Sequence, residues 1–148
     1  MALDDIDRTL VRELVADGRA TLAELAASAG LSVSAVASRV RRLESRGVVT
    51  GYSARINPEA VGQSLSAFVA ITPLDPSQPD DAPARLEHFE AIESCHSVAG
   101  EESYILLVRV ESARALEDLL QQIRMAANVS TRSTIILRIF YSGRQSIP

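Results

Sequence analysis

Residues 21–43, TLAELAASAGLSVSAVASRVRRL, decide how the N-terminal third of this chain folds. Thr21 and Glu24 stand at capping-box spacing and open a helix with Leu22, Leu25 and Ala26 on its inner side. Gly30 supplies the positive φ that reverses the chain within a few residues. Ser32 is a natural N-cap for a second helix whose inner stripe is Val36, Val40 and Leu43, and Gly47 ends it. Ala26, Gly30 and Val36 fall at helix-turn-helix offsets: a small residue where two helices cross, a glycine in the turn, and an apolar residue packing back.

The flanks extend this pattern. Upstream, Asp4 caps a helix carrying Ile6, Leu10 and Leu14, with Val11 and Val15 widening the stripe, and Gly18 ends it. Downstream, Val48–Ile56 is β-like with Gly51 at a turn, and Asn57-Pro58 breaks the chain. The expected organisation is a helix-turn-helix domain over 1–50, a wing or hinge over 51–63, and a second domain over 64–148.

The second domain alternates strand and helix signals. Strands are expected at Ser64–Leu74, Ser94–Ala99, Tyr104–Val110 and Ser130–Tyr141, and helices at Ala84–Ala91 and Ala113–Ala127. The second helix is amphipathic, with Leu116, Leu119, Leu120 and Ile123 on one side. The order βαββαβ is the ferredoxin-like arrangement, a sheet with both helices on one face. The fold class is therefore α+β, a winged helix-turn-helix followed by a ferredoxin-like domain. The apolar content of Tyr104–Val110 and Thr134–Tyr141 implies that another subunit covers the bare face.

The chain has 148 residues, a net charge of −4 and 47% hydrophobic residues, enough for a sizeable core. Its charge is unevenly placed. From Leu31 to Arg55 five arginines face one acid, Glu44, whereas Asp75–Glu102 holds eight acids and only Arg85. A basic segment inside an acidic protein points to one localised anionic partner, although a solvated helix face has the same composition. All fifteen basic residues are arginine, as codon bias would produce. The single cysteine, Cys95, excludes an intrachain disulfide and fits a reducing compartment. With no signal peptide and no apolar run of membrane-spanning length, the expected location is the cytoplasm, at the nucleoid.

With Val36, Val40 and Leu43 turned inward, the other side of the recognition helix becomes the DNA-reading surface. Its members are Ser32, Ser34, Ala35, Ser38, Arg39, Arg41, Arg42 and Arg46. Small residues near the N-terminus let the helix sink into the major groove, where Ser34 and Ser38 reach base edges. Arg39 and Arg42 are expected to reach guanine or phosphate, and Arg41 and Arg46 to hold phosphates.

The run LDDIDRTLVRELVADGRATLAELAASAGLSVSAVASRVRRLESRGVV (3–49) resembles the N-terminal domain of the Lrp/AsnC, or feast/famine, regulators. The remainder is similar to that family's ligand-sensing RAM domain (regulation of amino acid metabolism), with VAGEESYILLVRV (98–110) carrying the likeness. The resemblance spans Leu3 to about Tyr141 and is nearest in character to mycobacterial members, in keeping with the arginine-only composition. It implies a transcription regulator of amino-acid metabolism or nutrient-starvation genes. It also implies a dimer formed through the C-terminal sheets, assembling further into an octamer of four dimers, with amino-acid effectors bound near interfaces between dimers. The matching positions are Gly100, Glu101, Glu102, Ser103 and Tyr104, with Thr134 on the last strand. There is a physical case for the turn as well. Gly100 admits a close approach to the backbone, Glu101 or Glu102 can pair with an α-ammonium, and turn N–H groups can hold a carboxylate. Many members carry aspartate where this chain has Ser103, so that ammonium contact is either absent or supplied by Glu102.

Other classes fare worse. Cys95-His96 lacks the four-ligand spacing of structural zinc, and adjacent strand residues point to opposite faces. Glu87, Glu90 and Glu93 read as the solvated face of a short helix, and His88 as exposed. No phosphate loop, dinucleotide fingerprint or catalytic triad is present, so neither an enzyme nor a cofactor or metal is expected. The serious rival is an architectural octamer that bends DNA without any small-molecule effector.

Overall fold

The computed structural model describes residues 3–145 and 147, and these divide into two compact units. The first holds the residues up to Arg55 together with the tail from Tyr141. Its helices are α1 (Asp5–Ala16), α2 (Leu22–Ala29) and α3 (Val33–Ser45). Each begins where a side-chain acceptor meets an orphan N–H. Asp4 accepts from the Asp7 amide at 2.7 Å, Thr21 and Glu24 close a reciprocal capping box, and Ser32 accepts from the Ala35 amide at 3.2 Å. Gly30 (φ 65°) ends α2 in the left-handed region, which a Cβ would disfavour.

Leu10, Leu25, Ala26, Val36, Val40 and Leu43 form the core of this unit. Leu10, Val36 and Leu43 are fully buried, each contributing about 1.5–3 kcal/mol of transfer free energy. Leu22, expected on the inner side, and Val15 are both exposed.

The expected wing is not present. Val48–Ile56 forms no strand among the described residues. A wing needs a returning strand to pair with, but the chain meets Pro58, which has no N–H, and enters a 3-10 turn at Glu59–Val61. The expected boundary at residue 64 also shifts. Ile56–Phe140 groups as the second unit, and the tail from Tyr141 joins the helices.

In the second unit, β1 (Leu65–Pro73), α4 (Ala82–Leu86), β2 (Ile92–Ser97), β3 (Tyr104–Val110), α5 (Ala113–Ala127) and β4 (Val129–Ile136) follow the ferredoxin-like order. The sheet is antiparallel throughout, with strand order β2-β3-β1-β4. Ala67, Val69 and Ile71 of β1 and Leu106, Val108 and Val110 of β3 alternate toward the helices, where they meet Leu86, Leu116, Leu119 and Ile123. β4 stops at Ile136, opposite Ser66, because β1 begins only one residue earlier. The expected continuation to Tyr141 therefore has no partner strand, and Leu137 and Phe140 are exposed. On the other face of the sheet, Phe68 is exposed and Ile105 and Leu107 are half-buried.

Candidate nucleic-acid interface and ligand turn

Helical geometry sorts the predicted reading residues. At about 100° per residue, Ser34, Ser38 and Arg41 project roughly 140–160° from Val36, directly away from the core, whereas Arg39 is only about 60° from it. Ser34, Ser38 and Arg41 are exposed accordingly. Ser32 serves as the cap and also shares a 3.2 Å hydrogen bond with Ser34. Ala35 is half-buried, and Arg46 is exposed at the helix end.

Arg39 and Arg42 are placed differently from the sequence expectation. Asp7 on α1 is 2% exposed, and both arginines turn to it. Arg39 donates from Nη1 to Asp7 Oδ1 at 2.8 Å and to Asp4 Oδ2 at 2.6 Å. Arg42 donates from Nη2 to both Asp7 oxygens, at 2.9 and 3.1 Å. The two arginines are thus ion-paired within the domain, not projecting freely. The Arg39 hydrogen bond, followed by one from the Asp7 amide, holds the Asp4 carboxyl below its ordinary range, and the same acids push the Arg39 guanidinium up. Asp4 is legible in the sequence only as a helix cap, and Asp7 carries no motif of its own. A signal existed: two acids three residues apart, at the cap and in the first turn of α1, matching two arginines three residues apart on α3.

In the second unit, the hairpin between β2 and β3 forms the turn. Ser97 faces Tyr104, and the Val98 amide donates to the Ser103 carbonyl at 3.1 Å. Ser103 spends its own N–H on the Ile71 carbonyl, so it is not available to a ligand. The amides of Gly100, Glu101 and Glu102 make no hydrogen bond among the described residues. A Cβ at Gly100 would meet nothing within 4 Å. The hydroxyl of Tyr104 bonds Asp80, which raises its pKa.

Glu101 is exposed, whereas Glu102 is largely covered and ion-paired with Arg132 of β4. Arg132 is a residue that sequence reasoning missed. Thr134 does not neighbour the turn within this chain. Tyr104 lies level with Thr131 across β1, and Thr134 is three residues further along and two strands over, about 10 Å in each direction. Among the described residues no group of three or more His, Cys, Asp or Glu side chains can hold a metal ion, and no helix is long and apolar enough to cross a membrane.

Comparison with known proteins agrees with both halves. The AsnC-type helix-turn-helix domain matches residues 3–44, and the Lrp/AsnC ligand binding domain matches residues 66–146. The chain is 84% identical over 147 residues to the HTH-type transcriptional regulator LrpA of Mycobacterium tuberculosis, covering 99% of this chain and 98% of the relative. It is 37% identical over 140 residues to the leucine-responsive regulatory protein of Escherichia coli, covering 91% and 85%. Among solved structures, the M. tuberculosis feast or famine regulatory protein complexed with L-methionine superposes with a TM-score of 0.98 at 84% identity, covering 99% and 100%. E. coli AsnC matches with a TM-score of 0.90 at 25% identity over the full length of both chains.

Proposed function

As this chain belongs to the Lrp/AsnC family of DNA-binding transcriptional regulators, and is not an enzyme, we propose that it reads a specific operator and responds to an amino-acid effector. Its targets are then genes of amino-acid metabolism or nutrient starvation, and its place is the cytoplasm, at the nucleoid. The observation that carries the operator reading is the outward face of α3. Ser34, Ser38 and Arg41 stand exposed on a helix anchored by a buried Val36–Leu43 stripe. Small residues lead, so the helix backbone can approach base edges, and arginines flank them for phosphates. Two such helices in a dimer fit successive major grooves about 34–36 Å apart.

The effector reading draws on the open Gly100–Glu102 amides and the acids beside them. An amino acid's carboxylate suits the amides, and its ammonium suits Glu101 or Glu102. The methionine bound by the M. tuberculosis relative supports this ligand class. Thr134 can join the site only from a neighbouring subunit, which fits a dimer, and an octamer of four dimers, with sites between chains. The exposed Phe68 on the bare sheet face supports pairing of that kind. One observation favours a second reading, an architectural octamer with no effector: Arg132 already occupies Glu102.

Fluorescence anisotropy on a duplex from the gene's own upstream region, with random-sequence competitor at several salt concentrations, tests the operator claim. Competitor-resistant binding whose log affinity falls linearly with log salt is expected. Absence of DNA binding at low salt would sink the claim. An amino-acid panel in a thermal-shift assay separates the effector and architectural readings, since only the first predicts selective stabilisation.

A further inference from the structure

The cluster of Asp4, Asp7, Arg39 and Arg42 lies between α1 and the recognition helix, and its two acids have no part in the reading surface predicted from the sequence. Four charged groups meet here with no net charge. One carboxylate, Asp7, is almost fully buried and shared by both arginines, 32 and 35 residues away in sequence. The guanidinium groups are not buried with it. The Arg39 side chain is 25% exposed and that of Arg42 43% exposed. Each guanidinium has five N–H donors in a rigid fork, and the acids engage a single terminal nitrogen of each. The remaining N–H groups keep a fixed direction at the side of α3.

We propose that Asp4 and Asp7 are specificity-determining positioning residues for DNA, holding Arg39 and Arg42 in one orientation and cancelling their general attraction to phosphate. This inference rests on the operator-reading function above. Non-specific affinity comes from counterion release as basic side chains neutralise phosphates, independent of sequence. Two unpaired arginines on each recognition helix would increase that term on every duplex. Paired to α1, they carry little net charge outward and offer donors only where a phosphate stands in the fixed direction of their free N–H groups. Of the four surplus positive charges between Leu31 and Arg55, two are offset by these acids. The discrimination between operator and random DNA therefore depends on residues of α1 and its cap, outside the recognition helix.

The test uses the full-length protein on the upstream duplex and on a random-sequence duplex, with the salt slope measured on each. Asp4→Asn keeps an N-cap acceptor, lies at an exposed position and is expected to fold. Asp7→Asn keeps the shape and acceptor oxygen of the buried side chain but removes its charge. Both variants are expected to bind random DNA more tightly, with the slope steeper by up to about 0.9 per arginine released onto a phosphate, or up to about tenfold in affinity at 0.1 M salt. The ratio of operator to random affinity falls correspondingly. If Asp7→Asn does not fold, Asp4→Asn alone decides. A lowered melting temperature with both slopes and the ratio at parental values overturns the proposal, because a merely structural clamp would do that. Shallower slopes on both duplexes overturn it too. A parent protein that does not distinguish the upstream duplex from random DNA counts against the operator reading instead, and the random-DNA slopes still decide the role of the acids.

Discussion

Arg132, on the last strand of the sheet, is ion-paired with Glu102 in the β2–β3 hairpin. The pair joins the outermost hairpin to the opposite edge strand, because Arg132 lies level with Ile105 across β1. On the effector reading proposed above, it also places a cation beside the carboxylate that would take an amino acid's ammonium group.

An effector that uses Glu102 competes with Arg132 for its carboxylate. Arg132→Gln is therefore expected to tighten L-methionine binding. The Arg132 side chain is 70% exposed, so the competing pair is screened and the gain should not exceed about fivefold. Isothermal titration calorimetry measures it. A loss of affinity would mean that the guanidinium holds the ligand's carboxylate.

Gly100→Thr should leave the fold intact, since a Cβ at this position has nothing within 4 Å to strike. The expected change in stability is within about 0.5 kcal/mol, as for an ordinary surface substitution. The added side chain nonetheless takes up space beside the open Gly100–Glu102 amides, so stabilisation by amino acids should disappear if the turn holds the ligand. Paired thermal-shift curves with and without L-methionine check both parts, and retained ligand affinity would remove the turn from the site.

Arg41 is exposed and points away from the core of its unit, whereas Arg39 and Arg42 turn to Asp7. Arg41→Ala should weaken binding to operator and random duplexes alike and reduce the salt slope by about 0.9 for each phosphate it no longer neutralises. A selective weakening on the operator alone would instead mark Arg41 as a base-reading residue.

Acidification should loosen the α1–α3 packing before the sheet unit responds. Asp4 is held below its ordinary value of 3.8, chiefly by the Arg39 hydrogen bond. A carboxyl whose folded pKa is depressed contributes stability that is complete above its unfolded value and lost as the pH falls through the lowered one. Hydrogen-exchange protection of α1 should fall below about pH 4 in the parent, and less steeply in Asp4→Asn. Identical profiles would show that this carboxyl carries none of the acid sensitivity.

Much of the fold was legible because its signals are local. The caps at Asp4, Thr21 and Ser32 and the turn at Gly30 act within a few residues, and each lies where its motif implies. The misreadings share one cause, which is dependence on a distant partner. Val48–Ile56 has strand-like composition but no returning strand, and β4 is cut short by the start of β1. On α3 the inner stripe is as its periodicity implies, but that stripe says nothing of the pairing of Arg39 and Arg42 with Asp7. A helix has flanks as well as an inside and an outside, and one flank here meets α1.

By itself, the sequence determined the helix-turn-helix, the βαββαβ order and the family, because periodicity, caps and chain order need no knowledge of what packs against what. Tertiary structure alone decided which charges meet. Asp7 reaches Arg39 and Arg42 across more than thirty residues, and Glu102 reaches Arg132 from the far edge of the sheet. A charge becomes a free binding group or a neutralised one only through the side chain folded beside it. That neighbour is set by helix crossing and strand register, which no local pattern encodes.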